Sequence, residues 1–122
     1  MSGVTGIGGV FFRARDPDAL RAWYRDRLGV PVTEHGHAVF TWAEPGATVW
    51  AIFDDDTKYF GEPGSQFMVN FRVRDLHALL ERLRGEGVEI VDERVEDENG
   101  RFAWIVDPEG NRVELWEPPE GR

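Results

Sequence analysis

The sequence contains no cysteine, which excludes disulfides and thiolate metal sites and makes a reducing compartment the simpler expectation. No apolar run approaches the ~20 residues needed to span a bilayer. The opening MSGVTGIGGVFF also lacks a basic leader followed by a long apolar stretch. A cytoplasmic protein without a membrane partner is therefore expected. Positive charge is scarce: 14 Lys+Arg against 23 Asp+Glu give a formal net charge of −9. Such a chain would repel phosphate backbones, so nucleic acid is not an expected partner. The same field would favour approach of a cationic ligand, although solubility is the simpler account of an acidic composition.

What is present is a repeat. VFFRARDPDALRAWYR, from Val10, and VNFRVRDLHALLERLR, from Val69, are identical at eight of sixteen positions without a gap. Each copy reads as a strand of alternating apolar residues, an Asp, and an amphipathic helix. Asp16 and Asp75 are the expected N-caps, and Pro17 falls at the first helical position, where a missing N–H costs nothing. The first helix offers Leu20, Trp23, Tyr24 and Leu28 on one side; the second offers Leu76, Leu79, Leu80 and Leu83. Gly29 and Gly87 stand at the expected stops. Beyond each helix the chain is β-rich: AVFTWA and TVWAIF flank EPG in the first half, RFAWIV and RVELWE flank DPEGN in the second. Between the halves, DDDTKYFGEPGSQ has the Gly, Pro and charge of a connector, and its three aspartates read as a solvated loop without calcium-loop spacing.

A duplicated βαβββ unit with RDPDALRAWYRDRLGV, RDLHALLERLRGEGV and a terminal DPEGNRVELWE resembles the vicinal oxygen chelate superfamily, which includes glyoxalase I, bleomycin resistance proteins and extradiol dioxygenases. The resemblance implies an α+β fold of two tandem βαβββ modules forming a curved, half-open sheet, a cup with helices on the outside. One domain would span residues 1–122, with a first module over about 4–56, a connector over about 54–66 and a second module over about 67–118. Relatives of this size commonly form homodimers, and a homodimer is the expected state.

The resemblance also locates a metal site, and the residues there do not suit one. Its ligand positions, a His early in each first strand and a Glu in each last strand, fall on Gly9, Met68, Trp50 and Glu114. Only Glu114 matches, and one carboxylate leaves zinc, nickel or iron without the imidazoles they favour. The only histidines are His35 and His37, spaced by one residue in EHGHA, and His77 on the second helix, where solvent is the expected environment. No cofactor is expected.

Strand parity then says what lines the cup. Phe11 and Arg13, then Met68, Asn70 and Arg72, then Trp50, Arg112, Glu114 and Trp116 fall on the concave side, with Trp104 beside them. These are the candidate ligand-binding residues, although tryptophans would equally plug the cup or form an interface. Glu114 among tryptophans must be paired, neutralised, or offered to a ligand; pairing with Arg13, Arg72 or Arg112 is the first expectation. The leading function is a metal-independent binder of a small amphipathic or aromatic molecule, similar to bleomycin resistance proteins. The alternatives are an enzyme with Glu114 as catalytic acid or base, with or without an atypical metal, and an accessory interaction domain.

Overall fold

A computed structural model describes residue 3 and residues 7–61 and 65–120. Residues 4–6 of the expected first module and 62–64 of the connector lie outside the described residues. Helix α1 spans Pro17–Leu28 and helix α2 Leu76–Gly85; strands β1 (Val69–Arg72), β2 (Glu89–Asp97), β3 (Gly100–Val106) and β4 (Arg112–Glu117) complete the order α1 β1 α2 β2 β3 β4.

Both helices start as the sequence predicts. The Asp16 carboxylate accepts from the Ala19 backbone N–H at 3.1 Å and Asp75 from Ala78 at 3.0 Å, each satisfying a donor that lacks an intrahelical partner. At the other end of α1, Gly29 turns left-handed at φ 70° and closes back onto the Arg25 and Tyr24 carbonyls. In α2 the regular helix ends at Gly85, and Gly87 reverses the chain at φ 79°, so that the Val88 N–H reaches the Leu83 carbonyl at 3.0 Å.

The four strands form one sheet in the order β1-β4-β3-β2, with β1 parallel to β4 and the other pairs antiparallel. Ala103, Ile105, Val113 and Leu115 alternate toward the helices and meet Leu20 and Tyr24 of α1 and Leu76, Leu80 and Leu83 of α2 in one core. Both apolar stripes read from the sequence are thus used on one face of the sheet. The DPEGN turn is fixed by Asp107, a buried carboxylate accepting from the Glu109 and Asn111 backbone N–H groups, the Asn111 amide and the Tyr24 hydroxyl. That last bond, at 2.7 Å, ties α1 to the end of β3.

The first half departs from expectation. Residues 7–61 contain α1 and no strand: Val10–Ala14, AVFTWA and TVWAIF have neither regular secondary structure nor a ladder. Phe11, Phe40, Trp42, Val49, Trp50 and Ile52 are consequently exposed, Phe11 to 94% and Trp50 to 74%. The physical reason is that alternation specifies which face a strand would bury, whereas a strand forms only where another edge accepts its hydrogen bonds. This chain folds the second half into a complete βαβββ unit and leaves the corresponding segments of the first half without such an edge.

Candidate functional site

The face of the sheet opposite the helices carries the site. Register across β1, β4 and β3 places Asn70 opposite Glu114 and Glu114 opposite Trp104, so three side chains from three strands form one row. The adjacent row is Arg72, Trp116, Phe102 and Val95. There the Phe102 and Trp116 rings stack at 6.2 Å, the Arg72 guanidinium lies 5.2 Å from the Trp116 ring, and the Trp116 indole donates to the Asn99 carbonyl at 2.8 Å. On the other side of the central row, Arg112 reaches over Trp104 at 5.5 Å, and its Nε is buried without a hydrogen-bond acceptor among the described residues.

Glu114 is only 6% exposed, and its carboxylate is held by neutral donors. Asn70 Nδ2 donates to Oε1 at 2.6 Å, Trp104 Nε1 donates to Oε2 at 2.9 Å, and the Tyr59 hydroxyl donates to the same Oε2. The expected arginine partner is replaced by a cage of amide, indole and phenol, while Arg72 and Arg112 lie over the neighbouring tryptophan rings. Tyr59 is in turn pushed well above the ordinary tyrosine range by burial first, then by its bond to Glu114 and that carboxylate's charge, against the opposing pull of Trp104 and Arg112. Its proton is therefore firmly held, and Tyr59 acts as a donor.

Of the sequence-derived candidates, the structure brings together Asn70, Trp104, Glu114, Arg72, Trp116 and Arg112. Met68 stands one residue before β1 and is half-buried. Phe11, Arg13 and Trp50 are not brought to the row: all three are exposed and belong to segments without a ladder. Tyr59 was not among the candidates, because its connector composition disguised it; the adjacent pair Tyr59-Phe60 in an otherwise polar stretch was the available signal. In the structure Phe53 stacks on Tyr59 at 5.3 Å, and Tyr59 meets Trp104 edge-on at 5.8 Å.

An open sheet with two helices on one face and an aromatic, carboxylate-centred row on the other defines a fold of the vicinal oxygen chelate type. The sequence matches the family model for the Glyoxalase/Bleomycin resistance protein/Dioxygenase superfamily over residues 6–115, and the chain belongs to that superfamily. Among solved structures it is similar to TnmS3, an antibiotic binding protein from Streptomyces sp. CB03234, at 20% identity and a TM-score of 0.63, covering 98% of this chain and 100% of that one. A glyoxylase/bleomycin resistance protein/dioxygenase domain from Frankia sp. EAN1pec is 20% identical with a TM-score of 0.61, covering 96% and 100%. The trypanothione-dependent glyoxalase I of Leishmania major is 22% identical with a TM-score of 0.51, covering 87% and 81%. Some other matched structures are covered over only about half their length. At these identities the likeness is one of fold. No curated protein matches the sequence.

Proposed function

We propose that this protein binds a small amphipathic or aromatic molecule on the concave face of its sheet, without a metal. The observation that carries the reading is the setting of Glu114, a buried carboxylate held by Tyr59, Asn70 and Trp104 at the centre of an aromatic face. The residues at the superfamily's metal positions do not fit the group. Gly9 has no side chain, Trp50 offers only an N–H donor, Met68 only a thioether, and Glu114 has its oxygens engaged by three donors. The flat, ring-lined rows and the Arg112 Nε beside them suit a planar ligand carrying both donors and acceptors. TnmS3 is described as an antibiotic binding protein, which agrees with a sequestering role.

The same proposal includes a homodimer. Segments without a ladder carry exposed Phe11, Phe40, Trp42, Trp50 and Ile52, apolar surface in want of a sheet edge, and a second copy would supply one of matching pattern. Pairing there would bring Phe11, Arg13 and Trp50 over a concave face. Among the described residues no helix is long and apolar enough to cross a membrane; a cytoplasmic location belongs to the proposal, and the cysteine-free composition supports it.

Two measurements test the reading. Incubation with nickel, zinc, iron or manganese, followed by desalting, should leave far less than one equivalent bound; stoichiometric retention would overturn the metal-free reading in favour of an enzyme. Titration with a panel of planar aromatic compounds of positive, neutral and negative charge should perturb the Trp104 indole N–H resonance, identified by its loss in Trp104→Phe. A panel that leaves that resonance unmoved would end the proposal.

A further inference from the structure

Tyr59 is an unusual occupant of the centre of the site. It comes from the connector, whose backbone hydrogen bonds near it are local turns, Thr57 N–H to Asp54 and Gly61 N–H to Lys58, both at 3.1 Å. No ladder joins residues 54–60 to the sheet. Tyr59 meets the sheet through its side chain, the hydroxyl on Glu114 and the ring edge-on against Trp104, with Phe53, the last residue of TVWAIF, stacked on the ring. The connector can therefore release Tyr59 without breaking any strand pairing. Beside the ring lies a cavity of about 220 Å³ whose walls include Tyr59, Trp104, Phe102 and Val95. That is smaller than the roughly 300–1,000 Å³ usual for sites of drug-sized ligands, and withdrawal of the Tyr59 ring would join it to Glu114.

On the reading that this face binds a small molecule, we infer that the seat filled by Tyr59 is the ligand's anchoring subsite. It takes a planar aromatic group with an O–H or N–H at its edge, which displaces the Tyr59 ring. The requirements of the seat follow from its walls. Asn70 takes one position on Oε1 and Trp104 one on Oε2; the phenol fills a second position on Oε2, which an incoming O–H or N–H would take over. An occupant without a donor would forfeit the phenol's hydrogen bond and leave Oε2 with Trp104 as its one donor among the described residues. The cavity beside the ring, walled by Trp104, Phe102 and Val95, gives a flat group room to enter. Tyr59 thus competes with the ligand as a tethered copy of its anchoring group, and protects Glu114 when no ligand is bound.

The test uses p-cresol, the side chain of tyrosine as a free molecule, with toluene as its donor-less counterpart, on the full chain. Binding is followed at the Trp104 indole N–H, and the dispersion of the same spectra reports folding. Tyr59→Ala should bind p-cresol at least about tenfold more tightly than the wild type and should prefer it to toluene. Tyr59→Phe keeps the ring and removes only its donor, so it should bind p-cresol roughly threefold to tenfold more tightly than the wild type. If both variants fold and neither gains affinity for p-cresol over toluene, while larger aromatics still move Trp104 in the wild type, the subsite is wrong and the binding function stands. If no aromatic compound moves Trp104 in any of the three proteins, both are wrong.

Discussion

At the scale of single residues, Glu114 shows how a carboxylate is tolerated on an aromatic face: each oxygen accepts from a neutral donor, and the buried Trp104 indole finds its acceptor there. Glu114→Gln should cost no more than ~1 kcal/mol, because the Gln carbonyl can keep the Tyr59 and Trp104 donors while the Asn70 amide flips to accept from the new NH₂. Glu114→Leu removes the acceptor for all three donors and should cost about 2–4 kcal/mol, less than three full penalties because the exposed Asn70 and Tyr59 can turn to solvent while the buried Trp104 cannot. Urea unfolding of the pair distinguishes them. Tyr24 makes a comparable contact with buried Asp107, and burial first, then that bond and charge, hold its phenol well above the ordinary tyrosine range. A folded pKa above the unfolded one, about 10 for tyrosine, contributes stability that is complete below that pH and declines as pH climbs beyond it toward the folded value. Tyr24→Phe should lower stability at pH 8 by about 1–3 kcal/mol and flatten the alkaline decline between pH 8 and 11 measured by urea unfolding.

At the scale of elements, both helices are tied at their N-terminal ends by glutamates from β4 or the turn before it. Glu109 accepts from the Arg15 and Asp16 N–H groups at 2.7 and 2.8 Å, just ahead of α1, and Glu117 accepts from Leu76 N–H at 2.9 Å, the first residue of α2. Placing a carboxylate there satisfies orphan donors and complements the positive end of the helix. The Arg15 bond first, then that from Asp16, holds Glu109 below the usual carboxylate range. Its contribution is therefore present above the unfolded glutamate pKa and lost as pH falls through the lower folded value. Glu109→Ala should accelerate amide exchange at Arg15 and Asp16 on the order of tenfold while leaving Leu76 unchanged; equal acceleration at both helix starts would show that Glu109 acts on the whole fold instead of on α1. The helix starts themselves were legible, since an N-cap acts within three residues of itself. The glutamates that tie them were not, because Glu109 lies 94 residues from Arg15 and nothing local marks that contact.

At the scale of the whole molecule, the two halves of one repeat reach different outcomes in a single chain. The second half closes its own sheet, whereas the first contributes α1 to the shared core and leaves its segments without a ladder exposed. Light scattering should therefore give twice the 13.9 kDa of one chain. A Phe40→Asp, Ile52→Asp double variant should weaken the proposed association at least about tenfold by setting charge on its apolar surface; an unchanged dimer would place the interface elsewhere. The candidate site divides in the same way. Strand parity sufficed for Asn70, Trp104, Arg112, Glu114 and Trp116, whose rows follow from a period of two once the strands pair. Phe11, Arg13 and Trp50 lie in segments without a ladder among the described residues, so parity places them on no row there, and it passed over Tyr59. By itself the sequence determined the helix caps, the apolar stripes and the faces of the second-half strands, because each is a matter of residue identity or short-range periodicity. Tertiary structure alone decided that Tyr59 reaches Glu114 across 55 residues and Tyr24 reaches Asp107 across 83. Such meetings depend on the path of the chain through space, and no local pattern encodes them.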